Sequence, residues 1–279
     1  MTAFHKMHGL GNDFVVFDGR GDGLVLDEAS ARAIADRRRG VGCDQVIVLE
    51  QPNGGGEVFM RIYNSSGDEV EACGNAARCV ARFLMDEKHR AHVSIDTRGG
   101  LLLCQDAEGD LVTIDMGQPG LGWRDIPLAR EMDTAAFPLL IENQEFVATA
   151  VSIGNPHCVI FTENAERVPL SKLGPQIEHH GFFPARTNVE FVQPLTPERL
   201  RMRVWERGAG ITQACGTGAC ATLVAAHRRG LSPRAAEIVL DGGVLNIAWR
   251  AEDDHVLMTG PTSLAFRGDI DLASLETRL

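Results

Sequence analysis

The 279-residue sequence predicts a mixed α/β (α+β) protein made of two pseudo-symmetric halves, each a curved, mostly antiparallel sheet wrapped around a central helix. Three observations lead to this prediction. A 20-residue segment recurs at about half the chain length, and such self-similarity indicates a duplicated architecture. Short alternating apolar runs, which are typical of strands, outnumber helical patterns. The two clearest helical patterns each begin within one copy of the repeated segment.

The repeated segment is the strongest feature of the sequence. Residues 60–79, MRIYNSSGDEVEACGNAARC, align with residues 202–221, MRVWERGAGITQACGTGACA, at a constant offset of 142 residues. This offset pairs Cys73 with Cys215, and a Gly-Asn dipeptide recurs in each half at a nearly equal offset of 143. Homologous halves commonly pack about a pseudo-two-fold axis. We therefore expect Cys73 and Cys215 to face each other across a central cleft.

Each copy of the repeat predicts the same local structure. An alternating apolar run, at residues 58–63 or 200–205, predicts a strand and is followed by a glycine-containing turn. The Cys-Gly pair then precedes a helical pattern, over residues 75–88 in the first half and 217–229 in the second. The second helix is apolar on nearly all sides, which indicates burial. Gly230 predicts its C-terminal cap.

Further strands are predicted where apolar runs lie between turn signals. They are residues 13–18, 46–50, 101–105, 112–115, 146–152, 159–161, 188–192, 245–249 and 256–259. The stretch 116–120, Met-Gly-Gln-Pro-Gly, is rich in turn-forming residues. The boundary between the two halves is therefore predicted after residue 116.

Composition and charge limit the classes of function. The net charge of -11 repels nucleic acid and anionic membranes, so we expect neither as a partner. No run approaches the roughly 20 apolar residues of a membrane helix, and the N-terminus lacks the apolar segment of a signal peptide. These features predict a cytoplasmic protein. The seven cysteines are odd in number and lack C-x-x-C spacing, which argues against a disulfide framework and against a metal site.

The two repeated cysteines precede predicted helices, and this placement suggests proton transfer. A helix N-terminus offers unpaired N–H groups and about half a positive charge, which stabilise a thiolate and can bind a carboxylate. Two opposed copies would hold one carboxylate with a sulfur on each face of the adjacent carbon. One sulfur would remove the α-proton while the other returns a proton to the opposite face. We therefore expect inversion at an amino-acid α-carbon.

Three alternatives remain open at this point. Cys73 and Cys215 could be structural residues inherited by duplication. A hydrolase-type nucleophile with His157 as its base would use one cysteine and leave its twin idle. A thiol switch that forms a Cys73–Cys215 disulfide would account for the pairing of the cysteines but not for the polar residues in the neighbouring motifs.

Several motifs, in order along the chain, resemble the diaminopimelate epimerase family. They are His8–Phe14 (HGLGNDF), Gly42–Gln45 (GCDQ), Glu71–Asn75 (EACGN), Gly154–His157 (GNPH), Arg186–Asn188 (RTN), Trp205–Gly208 (WERG), Ala214–Cys220 (ACGTGAC) and the tail Phe266–Ile270 (FRGDI). They are specific in combination, because the related proline racemases keep the two cysteines but not the opening motif. The resemblance implies interconversion of LL- and meso-diaminopimelate, on the route to lysine and cell-wall peptide, without pyridoxal phosphate, metal or another cofactor.

The resemblance also implies an architecture and an assembly. The family fold has two pseudo-symmetric halves, and its C-terminal segment packs back onto the first half. The expected domains are therefore residues 1–116 joined by 263–279, and residues 117–262. The resemblance implies a homodimer as the assembly and a small-molecule substrate as the partner.

Individual roles follow from the same resemblance. Cys73 and Cys215 would be the acid/base pair, and His157 and Glu206 would lie near them and set the thiol pKa values. The substrate-binding residues would be Asn12, Gln45, Asn64, Gly74, Asn75, Asn155, Asn188, Glu206, Arg207, Gly216 and Thr217. Arg207 can pair bidentately with the distal carboxylate of diaminopimelate, and Glu206 can accept from its distal ammonium.

These residues also have simpler interpretations. Glu206 and Arg207 could form a surface ion pair, and His157 could be a core histidine bonded to a backbone carbonyl. Three asparagines lie in glycine-rich or turn-like contexts and could be turn formers: Asn12, Asn64 and Asn155.

Three positions depart from the family pattern. Ala76 stands where the family usually has glycine, Cys43 where it has a small or aromatic residue, and Ile211 where a glutamate is common. None of them is a proposed acid/base residue. The methyl group of Ala76 is compatible with a helix but adds bulk at its N-terminal end.

Overall fold

The computed structural model describes residues 1–21, 23–71 and 73–276 and shows a mixed α/β fold in which strands predominate. The strands are β1 (Thr2–Gly9), β2 (Asn12–Asp18), β3 (Gln45–Glu50), β4 (Val58–Asn64), β5 (Glu69–Val70), β6 (His92–Thr97), β7 (Gly100–Ala107), β8 (Leu111–Asp115), β9 (Phe137–Ile141), β10 (Gln144–Ser152), β11 (Pro156–Phe161), β12 (Asn188–Thr196), β13 (Arg199–Glu206), β14 (Gly210–Ile211), β15 (Ala235–Leu240), β16 (Gly243–Trp249), β17 (Val256–Pro261) and β18 (Ser263–Ile270). The helices are α1 (Glu28–Ala35), α2 (Gly74–Lys88), α3 (Leu170–Glu178), α4 (Gly216–Arg228) and α5 (Leu272–Glu276), with a 3₁₀ turn at Ala165–Arg167. Ala72 of the repeated motif and residues 277–279 of the expected C-terminal segment lie outside the described residues.

The chain forms two compact units. The first is Met1–Ile114 together with the segment from Gly260 onward, and the second is Asp115–Thr259. These divisions lie two and three residues from the boundaries expected after residues 116 and 262. We propose that the two units are the domains of the protein.

The two units repeat one strand-pairing pattern. In the first unit, antiparallel β1–β2, parallel β2–β3, antiparallel β3–β4, parallel β4–β6 and antiparallel β6–β7 follow in order. In the second, the same order is made by β10–β11, β11–β12, β12–β13, β13–β15 and β15–β16. The register repeats as well, because Phe14 pairs with Gln45 and His157 pairs with Asn188, 143 residues later at both positions. The predicted duplication is therefore present in the topology.

The helix that follows each Cys-Gly pair packs against the sheet of its unit. Helix α2 contacts β1, β2, β6 and β7, whereas α4 contacts β10, β11, β12, β13, β15 and β16. The sequence of α4 is almost entirely small or apolar, so nearly every residue from Gly216 to Ala226 is buried. Gly230 follows the end of α4 with a φ of 69°, a left-handed conformation that suits the predicted glycine cap.

The predicted strands and the two predicted helices are present, most with longer bounds. Strands β1, β5, β6, β9, β14, β15 and β18 and helices α1, α3 and α5 were not predicted. Strand β18 exposes most of its residues and mixes charged with apolar side chains, so it shows no clean alternation. Helix α3 contains Gly174 and Pro175, which have the poorest helix propensities, and is stabilised by packing against β12 and β13 instead.

Candidate active site

Cys73 lies at the N-terminal end of α2 in the first unit. It is the N-cap residue, with an extended φ of -146°, and Gly74 is the first helical residue. The Cys73 thiol donates to Asn12 Oδ1 at 3.9 Å, and Asn75 Nδ2 donates to the same oxygen at 3.2 Å. The first N–H groups of a helix have no intrahelical acceptor. This end of α2 therefore combines a half-buried thiol, backbone donors and three of the predicted polar or glycine residues.

A tight turn places Asn12 beside α2. Gly9 pairs with Asn12 across the β1–β2 hairpin, and the two intervening residues, Leu10 and Gly11, have φ values of 56° and 84°. Two positive φ values match the type I′ hairpin turn, which follows the right-handed twist of the strands. A left-handed conformation at a non-glycine residue such as Leu10 costs about 1–2 kcal/mol. Asn12 is thus the first residue of β2 rather than a turn former.

Asp44 sets the orientation of the Asn12 amide. Asp44 Oδ2 accepts from Asn12 Nδ2 at 2.9 Å, so the amide oxygen of Asn12 is the atom directed at α2. Arg37 contacts both Asp44 and Asp13, each at 2.7 Å. Burial raises the pKa of Asp13, but hydrogen bonds from Arg37 and Lys6 outweigh burial and hold this pKa well below its usual value. Asp13 therefore stays ionised at neutral pH.

Gln45 and Asn64 lie opposite each other on β3 and β4. Gln45 Nε2 donates to Asn64 Oδ1 at 3.0 Å. The other amide atom, Gln45 Oε1, is buried and has no hydrogen-bond partner among the described residues. A buried acceptor without a donor is costly, so this oxygen suits the ammonium or another donor group of a ligand.

Cys215 occupies the equivalent position at α4 in the second unit. It is the N-cap residue, with a φ of -124°, and Gly216 is the first helical residue. Its sulfur lies 3.6 Å from Thr217 Oγ1. A Cβ at Gly218 would come within 3.3 Å of the Cys215 sulfur and 2.9 Å of Glu190 Oε1, so glycine is needed for these groups to approach the helix. Cys215, Gly216 and Thr217 thus lie together at the start of α4.

The electrostatic environment of Cys215 differs from the expectation of a stabilised thiolate. Burial raises the pKa of the Cys215 thiol well above its usual value, and the carboxyl groups of Glu206 and Glu190 raise it further. The Thr217 hydroxyl and the Gly218 N–H lower this pKa, but by less. The raised pKa favours the thiol form of Cys215, which is the form needed for a proton donor.

His157 is fully buried, and both of its ring nitrogens have partners. Nδ1 lies 2.7 Å from Glu190 Oε1, and Nε2 lies 2.9 Å from Asn155 Oδ1. Asn155 Nδ2 in turn lies 3.4 Å from Thr217 Oγ1. The ring partners are side chains rather than the backbone carbonyl of the simpler interpretation. Because neither nitrogen is directed at Cys215, the hydrolase alternative lacks its base in the second unit.

The side chain of Asn188 supports the neighbouring strand. Its Oδ1 accepts from the Arg207 N–H at 2.9 Å, and its Nδ2 donates to the Pro156 carbonyl at 3.0 Å. Asn188 was expected to bind substrate directly. In the structure its amide holds the backbone of Arg207, and one amide hydrogen remains for a ligand.

Hydrogen bonds from neighbouring loops and strands fix the Glu206–Arg207 segment in place. Glu206 accepts a hydrogen bond from the Thr212 hydroxyl. Arg207 is exposed and donates to the Ala185 carbonyl at 3.2 Å. Among the described residues, no ion pair joins Glu206 to Arg207, so the surface ion-pair interpretation is wrong. Buried Glu178 accepts from the Gly208 N–H at 3.1 Å and fixes the end of this segment.

Three polar residues of these clusters were not predicted. Asp44 and Glu190 each contact a predicted residue, Asn12 and His157, whereas Glu178 accepts from the N–H of Gly208, the residue after Arg207. A signal was present for Glu190, because it is a carboxylate between two apolar residues, Val189 and Phe191, of a predicted strand. Asp44 stands within the recognised GCDQ motif, whereas no sequence pattern distinguishes Glu178.

The three departures from the family pattern lie in different environments. Ala76 is fully buried inside α2, and Cys43 belongs to the core around β2 and β3. Ile211 is 46% exposed on β14. Nothing in the structure explains the replacement of a glutamate by Ile211.

The described residues contain neither a membrane-spanning helix nor a metal-ligand cluster. Within this part of the chain, no helix is long and apolar enough to cross a membrane. In the same residues, no cluster of three or more His, Cys, Asp or Glu side chains is arranged to hold a metal ion.

Comparison with known sequences identifies related proteins. The family model described as diaminopimelate epimerase matches residues 4–121 and 149–265. A diaminopimelate epimerase from Rhodospirillum centenum is 55% identical over 271 residues, which are 97% of this chain and 92% of the relative. A diaminopimelate epimerase from Acidiphilium cryptum is 51% identical over 272 residues, which are 98% of this chain and 97% of the relative.

Solved structures with low sequence identity share the fold. A hydroxyproline epimerase from Agrobacterium vitis, solved with bound trans-4-hydroxy-L-proline, has a TM-score of 0.68 at 16% identity, covering 96% of this chain and 91% of that one. A phenazine biosynthesis protein of the PhzF family from Enterococcus faecalis has a TM-score of 0.68 at 13% identity, covering 97% and 99%. At these identities the likeness supports the α+β fold alone.

Proposed function

The chain belongs to the diaminopimelate epimerase family, and on this basis we propose that it interconverts LL- and meso-diaminopimelate by moving the α-proton between Cys73 and Cys215. Membership makes the protein an isomerase of the epimerase type. The proposal places the reaction on the route to lysine and peptidoglycan precursors and needs no cofactor. Its main support is one observation: a Cys-Gly pair begins the central helix at the same position of two units with the same topology.

In the proposed reaction, the two cysteines exchange roles in each turnover. The thiolate of one cysteine takes the α-proton, and the electron pair of the broken C–H bond forms a carbanion conjugated with the carboxylate. The thiol of the other cysteine then gives its proton to the opposite face and becomes the thiolate. The base for one isomer is thus the acid for the other, and the reverse reaction starts from the exchanged state.

The helix ends supply the electrostatic part of the reaction. We assign the backbone N–H groups of Gly74, Asn75, Gly216 and Thr217 to the reacting carboxylate. The positive end of a helix dipole stabilises an anion, and the carboxylate gains negative charge as the carbanion forms. Donors fixed in advance stabilise that charge without reorganisation, which is commonly the largest part of catalysis.

The distal end of diaminopimelate needs separate recognition, because its amino-acid group must bind without reacting. We assign its carboxylate to Arg207, whose backbone is held by Asn188, and its ammonium to acceptors such as Glu206 and Gln45 Oε1. The asparagines at positions 12, 64 and 155 remain assigned to substrate binding. Arg207 is exposed, so it is available to a ligand.

Proton NMR in deuterated water tests the proposed function. Incubation of LL-diaminopimelate with reduced protein should produce the meso isomer with loss of an α-proton signal. At low conversion the product should carry deuterium while recovered substrate keeps its proton, because the donor thiol exchanges with solvent before substrate binds. Absence of exchange by folded, reduced protein would reject the substrate. Exchange of proline or 4-hydroxyproline in the same experiment would place the activity in a related branch instead.

Substitution of Glu206 by glutamine is expected to move the pH profile. Burial and the Glu206 carboxylate both raise the pKa of Cys215, so removing this negative charge lowers that pKa. The alkaline limb of kcat/KM, which reports loss of the required thiol, should move to lower pH even though substrate binding also weakens. Glu237→Gln, at a side chain of β15 that is 43% exposed, is the matched control. A limb that stays in place or moves to higher pH would contradict this assignment.

We also propose that the protein forms a homodimer through the exposed face of β18. Leu264 and Phe266, two residues apart on this strand, are 42% and 50% exposed. Analytical ultracentrifugation should give about twice the chain mass of 30.3 kDa, and Phe266→Asp should shift the protein toward the monomer. Leu140→Asp, at an exposed leucine of β9, is the control and should not change the mass. A wild-type monomer would reject the proposal.

A further inference from the structure

A fully buried histidine–glutamate pair distinguishes the second unit from the first. His157 and Glu190 lie on adjacent strands, β11 and β12, and both are 0% exposed. At the equivalent positions of the first unit, 143 residues earlier, stand Phe14 and Ile47, which are also fully buried. Apolar residues therefore satisfy the packing requirement of this position. A buried carboxyl group is costly, so its presence in one unit only calls for a specific function.

This pair begins a chain of contacts that ends at the Cys215 helix. Glu190 Oε1 lies 2.7 Å from His157 Nδ1, and His157 Nε2 lies 2.9 Å from Asn155 Oδ1. Asn155 Nδ2 lies 3.4 Å from Thr217 Oγ1, which is 3.6 Å from the Cys215 sulfur. The carboxyl group of Glu190 also packs directly on the first turn of α4, where only a glycine at 218 leaves room for it.

The protonation of the pair follows from its surroundings. Glu190 Oε2 is buried and has no hydrogen-bond partner among the described residues, which is unfavourable for an ionised carboxylate. Burial raises the pKa of Glu190 despite the opposing effect of His157. If the proton is on Glu190, the acid donates to Nδ1 and the neutral ring carries its proton on Nε2. If the proton has moved to Nδ1, the ring is charged and Nε2 is protonated as well.

The contact with Asn155 requires the Nε2 proton directly, because His157 Nε2 lies 2.9 Å from an amide oxygen, which can only accept a hydrogen bond. A protonated Nε2 donates to the Asn155 amide oxygen, so the amide NH₂ group must be directed at the N-terminal end of α4. In the first unit the arrangement is the reverse, because Asp44 accepts from the NH₂ group of Asn12 and the amide oxygen faces the helix. The two asparagines therefore present opposite polar atoms to the two helix ends.

We propose that Glu190 is a positioning residue that holds His157 with a proton on Nε2, and thereby makes Asn155 a hydrogen-bond donor toward the anion site at the N-terminus of α4. This inference rests on the proposed function for its link to catalysis, since the reacting carboxylate is the anion assigned to that helix end. A donor favours the carboxylate there, whereas an acceptor would repel it. Glu190 itself need not touch the substrate.

Nitrogen-15 NMR of histidine-labelled protein tests the structural part without any assay of activity. The His157 signals, assigned by comparison with His157→Gln, should show a protonated Nε2 in the wild type. In Glu190→Leu, His157 Nδ1 loses its hydrogen-bond partner. The ring is then expected to show a mixture of tautomers instead of one form protonated on Nε2. A wild-type ring with a bare Nε2 would overturn the proposal, whether or not the protein turns over diaminopimelate.

Kinetics of two substitutions at one position then test the link to catalysis. Glu190→Leu should lower kcat/KM for diaminopimelate by about 10- to 100-fold, as loss of an orienting group commonly does. Glu190→Gln can donate from its amide to Nδ1 and keep Nε2 protonated, so it should stay within about threefold of wild type. Glu145→Leu, the same replacement at an exposed site of β10, is the control for the loss of a carboxyl group.

The outcomes separate the possible roles of Glu190. Rescue by glutamine with a retained Nε2 proton supports positioning, because a requirement for negative charge would not tolerate the amide. Equal losses in the leucine and glutamine variants, with the Nε2 proton retained in the latter, would overturn the proposal. So would wild-type kinetics for Glu190→Leu. A wild-type protein without activity would instead reject the proposed function, while the NMR result would still decide the histidine state.

Discussion

Replacing Cys73 or Cys215 by alanine is expected to lower the rate of epimerisation by about 10³-fold or more in both directions. Loss of one general acid or base typically costs 10²–10⁴-fold, and inversion needs both groups in the same turnover. The measurement is conversion of LL- to meso-diaminopimelate and the reverse, followed by proton NMR in deuterated water. Each variant should also retain α-proton exchange without inversion for one isomer only, which assigns each sulfur to a face.

Cysteines in the same two helices provide matched controls. Cys79 in α2 and Cys220 in α4 are buried five or six residues beyond the reactive positions. Cys79→Ala and Cys220→Ala should lower the thermal midpoint slightly through a small packing defect and leave epimerisation near the wild-type rate. Full epimerisation by Cys73→Ala or Cys215→Ala would contradict the two-base mechanism. Loss of activity in the controls alone would point to a structural explanation.

Removal of the Arg207 side chain is expected to lower kcat/KM for diaminopimelate by about 10²-fold. A hydrogen bond to a charged group contributes about 1.5–3 kcal/mol, and each 1.4 kcal/mol corresponds to a factor of ten. Arg207→Ala should lose this interaction with the distal carboxylate. The kcat/KM of Arg207→Lys should lie between those of the wild type and Arg207→Ala, because lysine keeps the charge but not the bidentate geometry. Steady-state kinetics of both variants measure the effect.

L-Lysine makes this prediction specific, since it is diaminopimelate without the distal carboxylate. Wild-type protein should exchange the α-proton of lysine about 10²-fold less efficiently than that of diaminopimelate. This preference should nearly vanish in Arg207→Ala, because the variant has lost the group that distinguishes the two substrates. Arg199→Ala, at an exposed arginine of β13 paired with Glu237, should keep the preference. An unchanged preference in Arg207→Ala would assign the distal carboxylate to another residue.

The duplication could be predicted from sequence because identical residues recur at a fixed offset of 142 residues. It led to the two Cys-Gly helix starts, and these are the N-cap and first helical residues of α2 and α4. Periodicity located most strands, since alternate burial leaves a pattern of period two. Strand β18 could not be found this way, because it is held in place by antiparallel pairing with β1 while most of its side chains remain exposed.

The polar networks required the tertiary structure. Glu190 and His157 are 33 residues apart in sequence and meet only because β11 and β12 are parallel neighbours. Asp44 reaches Asn12 in the same way, from the start of β3 to the start of β2. The sequence of a motif does not predict whether the amide oxygen or the NH₂ group of an asparagine faces a helix. The orientation of the amide depends on its hydrogen-bond partner on the side away from the helix. That partner, Asp44 for Asn12 and His157 for Asn155, is brought into contact by strand pairing.

By itself, the sequence determined that this protein has two homologous halves, that each begins its central helix with Cys-Gly, and that its motifs belong together in one family. These properties are local or periodic, so they can be recognised in the sequence alone. Only the tertiary structure decided that the pKa of the Cys215 thiol is raised, contrary to the expectation drawn from its helix end. The physical reason is that a helix dipole is a local property, whereas burial and nearby carboxyl groups are contributed by residues distant in sequence, and at Cys215 these outweigh the local effect.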